Sequence, residues 1–547
     1  MLLILIVWII QFFTLWTLGL LVVKTTSWFF KESIYTSILH EIIIGLCVLS
    51  VLISYWSIVA KMSGLFVFVA IISVCTLIFY NKEIRFRLQS LLQYLKGISP
   101  LSKLSFCIIS IFTIIYASGE VRIFDSALYH AQAIRWINEY AVIPGLGNLH
   151  SRFAFNSHFF LSQALFDFSF FTHDGHPIFG LNSLFYTIII FQLMLCMQES
   201  QNFTDRIFYF VLICTSSLVI LPRIQSPSPD IISFLLVIHL LVYFYSSLLK
   251  EKKNETFEYI YFVIVVSYLI TVKLSNLPIL LFTFCFFQLL SLKNITKAIA
   301  VCIVFVLPFF VRNYYLSGYL IYPFPTLDFF NPDWKINLIL CQGEMNSIKA
   351  WAIAPEMHTA EVLSLGFLPK MTLWFVSLDG FSKLIIMTNG LLIIYLGLKL
   401  KKSDTTSRLF WSAIFLNLIY WFLNAPDPRF SLGILTFGFA YIISRIFHKV
   451  MREKQYWFID YFILFGLILC LSTYSIFKWN YIRVVFQKNR IMPEALKTIQ
   501  YSEYGAIKIT QEPDGRCFWA PLPCACQKNE EIIFRTNKIE DGFKIKK

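Results

Sequence analysis

A small set of ionisable side chains interrupts otherwise apolar runs, and these are the residues equipped for chemistry. Asp125 stands in GEVRIFDSALYHAQ, between a long apolar run and a segment of helical periodicity. A carboxylate there can deprotonate or orient a hydroxyl, or take a divalent metal ion. It can equally cap the helix that follows. His130 reads as a second base or, in preference, as a polar anchor. Asp230 follows Pro227-Ser228-Pro229 at the mouth of another apolar run, again as a helper carboxylate or a helix cap. Lys273, in TVKLSNLP, sits where two apolar runs meet with almost no connection. It presents a point charge suited to phosphate, or snorkels to lipid headgroups. Arg312 in VRNYYLSGYLIYPFP and Arg429 in APDPRF can each grip phosphate bidentately. For Arg429 a local ion pair with Asp427 is an equal reading. Together these residues would offer cations for a phosphate and carboxylates for an acceptor hydroxyl.

The elements that must position them are membrane helices. Of 547 residues, 57% are hydrophobic and only 14% charged, against about 25% charged in soluble domains. Apolar runs of bilayer-crossing length recur from Met1 to about Tyr474, and backbone polar groups in lipid must be satisfied within each segment, so the runs read as helices. About fourteen spans are expected, among them 62–80, 257–272, 277–291, 409–424, 430–446 and 457–475. The first, starting at Met1, reads as a retained span rather than a signal peptide. The net charge of +14 does not point to nucleic acid. Its lysines and arginines fall mainly in loops after alternate spans, which marks that face as cytoplasmic.

The opposite, outer face then receives Asp125, Asp230, Lys273, Arg312 and Arg429, together with long segments 119–176 and 315–380 and the tail 476–547. Segment 128–140 has the pattern of an amphipathic interfacial helix, and 153–171 is aromatic and interfacial or re-entrant. The chain divides into N-terminal hairpins at 1–103, a core at 104–475 and an outer tail module at 476–547. Of 12 cysteines most lie in spans. In the tail Cys517 and Cys524 flank a Trp- and Pro-rich turn and form the expected disulfide, with Cys526 and Cys341 as rival partners. The sequence carries no P-loop, no GxGxxG and no zinc spacing, so activation must arrive with the substrate.

This plan resembles the GT-C superfamily of polyprenyl-phosphate-sugar-dependent glycosyltransferases. Asp125 matches its first outer-loop acidic residue, Asp230 its second, and Lys273 its phosphate lysine. Arg312-Asn313 with Gly318, Tyr322 and Pro323 is similar to its RN…G…YP stretch. A bacterial branch of polytopic proteins with GT-C character is closer still, through DSALYHAQAIRWINEYAVIPGLGNLHSRFAFNSHFF, APDPRF and CFWAPLPC. A lone Asp stands where some members carry Asp-Glu, and four spans precede it where the superfamily has one. The resemblance implies a GT-C-like fold in a bacterial inner membrane, with the active face and C-terminus periplasmic. It implies transfer of a sugar from a polyprenyl-phosphate donor to a glycan or lipid acceptor in surface polysaccharide synthesis. Asp125 would then be the base, Asp230 its helper, and Lys273, Arg312 and Arg429 the phosphate clamp. No cofactor is required by any motif, and a divalent metal, if used, would sit on Asp125. A glycan polymerase or ligase, and a lipid-linked glycan flippase, are the alternatives. The flippase reading is disfavoured because its charges belong near the membrane midplane.

Overall fold

The computed structural model describes residues 1–546 apart from 31–35, 63–64, 122, 173–174, 248–255, 400–402, 451–496, 498, 505, 513 and 526–530. Among the described residues the elements are overwhelmingly helical, with strands confined to the tail. Among the described residues eight helices are long and apolar enough to cross a membrane, or nine if one bent pair counts as a single span. The chain is an all-α membrane protein.

That number is smaller than the fourteen expected, for identifiable reasons. The 62–80 run breaks after Phe79, and the helices Leu65–Phe79 and Asn81–Gly97 meet at 82°. Thr256–Val272 is a helix of only 17 residues. The following run folds as a 3-10 helix, Leu274–Leu289, with Pro278 inside it. Thr405–Asn424 dilutes its apolar content with Asn417 and Asn424, and Leu432–Val450 ends in His448 and Lys449. The expected span at 457–475 lies outside the described residues.

The first two helices, Leu2–Phe30 and Ile38–Val59, touch backbone to backbone. A Cβ on Gly19 would fall 1.7 Å from the Glu41 carbonyl oxygen, and one on Gly45 would fall 1.9 Å from that of Leu15. Only glycine permits this crossing, as is common where membrane helices pack without a hydrophobic driving force. Glu41 is fully buried beside it. Its carboxylate accepts the Trp16 indole N–H at 2.8 Å and pairs with Arg87. Arg87 also holds Glu83 at 2.9 Å, and Glu83 holds Lys24 at 2.8 Å. A buried carboxylate left without these partners would cost several kcal/mol, of order 3–5, so this cluster locks the bent helix Asn81–Gly97 against the first hairpin.

The long loops have structure of their own. Ser126–His130 forms a π-helical turn that continues as the α-helix Ala131–Glu139. The expected amphipathic helix therefore exists, but it is buried against the helix His158–Leu165 rather than laid on a free surface. Segment 315–380 carries the helices Leu338–Trp351, Thr359–Ser364 and Phe367–Ser377. In the tail, Tyr501–Tyr504 pairs antiparallel with Ile507–Thr510, with Tyr504 opposite Ile507. Cys524–Ala525 adds in parallel, and Ile532–Phe534 pairs with Phe543–Ile545. Cys517 and Cys524 form the disulfide. Of the rivals, Cys341 is a buried free thiol, and Cys526 lies outside the described residues.

Candidate functional site

Several helix ends converge on one group of charged side chains. Pro227 and Pro229 hold the approach to helix Pro229–Ser247 extended, and the buried Asn182 amide fixes it by donating to the Ser226 and Ser228 carbonyls at 2.7 and 3.1 Å. Ser228, not Asp230, does the capping: its hydroxyl accepts the Asp230 N–H at 3.3 Å. The Asp230 carboxylate is thereby left for Lys273, with which it forms an ion pair. The Lys273 ammonium also lies 4.1 Å from the centre of the Phe430 ring, a favourable cation–π position. Asp125 does not cap the turn it precedes either. Its carboxylate accepts from Arg152 at 2.8 Å and lies 3.8 Å from Arg429. Arg152 reaches on to Glu344 at 3.5 Å, and Glu344 accepts the Ser151 hydroxyl at 2.7 Å. Arg429 is held by Asp427, whose carboxylate takes both its backbone N–H and its guanidinium, at 2.9 and 2.6 Å.

The electrostatics follow from these contacts. Burial would lower the Arg429 guanidinium, but Asp427, then Asp230 and Asp125, outweigh it and hold its pKa above the ordinary value. His130 is buried, with Ser126 Oγ at 3.1 Å and the Tyr129 and Phe160 rings at 4.4 and 5.1 Å. Burial pulls its pKa down to about 4, against the opposing pull of Asp125 and Asp230. Near pH 7 the imidazole is therefore neutral, packed between the two rings.

Two cavities meet at this group. One, of about 300 Å³, holds more of the charges, with Arg152, Lys273, Glu344 and Asp427 set among aromatic and aliphatic side chains such as Phe155, Phe309 and Trp421, and it extends to Tyr322 in the 315–380 segment. The other, of about 480 Å³, is walled by Ile123, Phe124, Ile220, Ile231 and Leu432 together with Arg223 and Ser228. Asp125, Asp230, Trp351 and Arg429 belong to both walls.

Asp125, Asp230, His130, Lys273 and Arg429, chosen from the sequence, thus come together. Arg312 does not join them. It is buried and donates to Ser57 at 2.5 Å and to Asn156 at 3.3 Å, behind the charged cavity rather than in its wall. Lys273 has its anionic partner within the protein, Asp230, instead of awaiting a lipid phosphate. Arg152, Glu344 and Trp351 were missed, because polar residues in long loops do not stand out as charges in apolar runs do. Asp427 enters as the local ion-pair partner of Arg429 that the sequence offers. As for a metal on Asp125, that carboxylate is engaged by two guanidinium groups, and among the described residues no three His, Cys, Asp or Glu side chains gather in a metal-holding group. The arrangement does not fit a metal cage.

The model of the family described as a domain of unknown function, DUF8201, matches residues 1–436. The chain belongs to this family. Every charged residue of the two cavities in this DUF8201 protein lies within the matched stretch, whereas the disulfide of the tail lies beyond it. No curated protein and no solved structure matches the chain.

Proposed function

We propose that this DUF8201 protein is an integral-membrane glycosyltransferase of GT-C character, taking a sugar from a polyprenyl-phosphate donor to a glycan or lipid acceptor. The observation that carries the reading is the convergence of Asp125, Asp230 and Arg429, with Trp351, in a wall shared by two cavities whose remaining lining is mainly apolar. A polyprenyl-phosphate sugar has parts suited to such a place, a long apolar chain and a phosphate carrying a hydroxylated sugar.

In this reading Arg429 meets the phosphate first. Its side chain is 41% exposed, against 22% for Arg152 and 23% for Lys273, and its guanidinium can share two N–H groups with phosphate oxygens. Arg152 takes the clamp role expected of Arg312. The acceptor hydroxyl oxygen attacks the anomeric carbon, the bond from that carbon to the phosphate oxygen breaks, and polyprenyl phosphate leaves with the electron pair. Asp125 accepts the acceptor's proton. Positioning and fixed charge supply most of the acceleration in such a reaction.

The membrane topology follows from the same residues. An ion pair between Asp230 and Lys273 requires the intervening chain to return to the side it left. Pro229–Ser247 crosses, so Thr256–Val272 must cross back; its 17 residues span about 26 Å at 1.5 Å each. Arg429 near Asp125 asks the same even count of the segments between. In this reading the site faces the periplasm of a bacterial inner membrane, which the basic loops on the other side support. Replacing Asp125 by Asn in the native host and profiling the surface glycan tests the function. Loss of one glycan at normal protein level is expected; an unchanged glycan contradicts it.

A further inference from the structure

The tail's disulfide-closed turn lies directly on the helix that carries the site. The Phe518 N–H donates to the Ala127 carbonyl at 2.8 Å, two residues from Asp125 and inside the π-helical turn. The fully buried Gln132 amide donates to the Ala520 and Phe518 carbonyls at 2.9 and 3.3 Å. Arg135 donates to the Trp519 carbonyl at 2.6 Å and stacks on the Trp519 ring at 5.3 Å. Arg516 lies 5.5 Å from the ring of Phe124, the neighbour of Asp125 that lines the cavity of about 480 Å³. Contacts therefore run along the segment from 124 to 135.

Two features show that this turn is held in a fixed shape. Phe518 has φ +47°, a left-handed conformation that a non-glycine residue keeps only when its surroundings impose it. That conformation belongs to the residue that makes the hydrogen bond to Ala127. The disulfide closes the turn on either side of it, with Cys517 and Cys524 both buried. A wide π turn is a weaker frame than an α-helix and recurs at functional positions, so an external brace at Ala127 fixes what the turn alone does not.

We propose that the tail turn 516–520, closed by Cys517–Cys524, is a positioning element of the charged cavity: it holds the Ser126–His130 turn and so sets where Asp125 stands. Its bearing on transfer rests on the role given to Asp125 above; the bracing itself does not. The test is hydrogen–deuterium exchange on the purified full chain in detergent, comparing the native protein with Gln132→Leu, with Arg135→Lys and with Cys517→Ser/Cys524→Ser. Gln132→Leu leaves the disulfide intact and keeps the test decisive if the double variant misfolds. Peptides covering 124–139 should exchange about fivefold to tenfold faster in Gln132→Leu, the effect of losing about one net hydrogen bond, and faster again in the double variant. Arg135→Lys, which keeps a donor for the Trp519 carbonyl, should stay near native, and peptides from 229–247 should not change. Unchanged exchange at 124–139 in Gln132→Leu, or an equal rise everywhere, would overturn the proposal. Surface-glycan profiling of the same variants then judges the transfer reading separately, because exchange reports the brace whatever the reaction is.

Discussion

Replacing Arg152 by Leu probes the site at the residue on which two carboxylates depend. Arg152 holds Asp125 at 2.8 Å and Glu344 at 3.5 Å, and the three side chains are 22%, 25% and 11% exposed. Exposed ion pairs contribute about 0.2–1 kcal/mol, and breaking a fully buried pair costs about 3–5 kcal/mol. These partly buried pairs fall between, at about 2 kcal/mol for loss of the shared guanidinium. Asp125→Asn should cost less, because Arg152 keeps Glu344. The double variant should be less destabilised than the sum of the two, by about 1 kcal/mol, since the second change removes a carboxylate already stranded by the first. Equilibrium unfolding in mixed micelles gives all corners of the cycle. Additivity within about 0.5 kcal/mol would refute the claim that Arg152 and Asp125 act as one unit.

Three further outcomes follow from single features. His130 is held near pKa 4 against about 6.5 in the unfolded chain, so its contribution to stability is complete above about pH 6.5 and is lost as pH falls toward about 4; thermal midpoints measured against pH should show this decline, and His130→Gln should flatten it. Gly19→Ala places a Cβ 1.7 Å from the Glu41 carbonyl and should destabilise the N-terminal hairpin by about 3 kcal/mol through overpacking, seen as a lowered unfolding midpoint. Gly145→Ala meets both a positive φ of +65° and the Phe543 carbonyl at 2.1 Å; it should loosen the tail, read as faster proteolysis within 497–546 while the helical core stays intact.

The sequence made the membrane class plain because apolar runs are long and locally complete. It overstated the number of clear crossings because hydropathy does not register a 3-10 helix around Pro278, or a bend between Phe79 and Asn81. The site was half legible. Asp125, Asp230, Lys273 and Arg429 stand out because charge beside apolar runs is expensive. Arg152 and Glu344 sit in the long segments between spans, Glu344 on the helix Leu338–Trp351, and Glu344 joins Ser151 across 193 residues of chain, a contact no local pattern encodes. Arg312 was conspicuous for the same reason as the others, yet its partners Ser57 and Asn156 are neutral and distant in sequence. The tail's disulfide followed from two cysteines around a turn, but its docking on Ala127 and Gln132 depends on backbone carbonyls, which no residue type announces.

The central claim is that Asp125 acts in consuming a polyprenyl-phosphate sugar. Lipid mass spectrometry on membranes of the native host carrying the wild-type protein or Asp125→Asn at equal level tests it most directly. Loss of a general base slows transfer by about 10²–10⁴-fold, so one polyprenyl-phosphate sugar should accumulate in the variant and return to its normal level when the wild-type protein is restored. An unchanged pool of every polyprenyl-phosphate sugar would contradict the account.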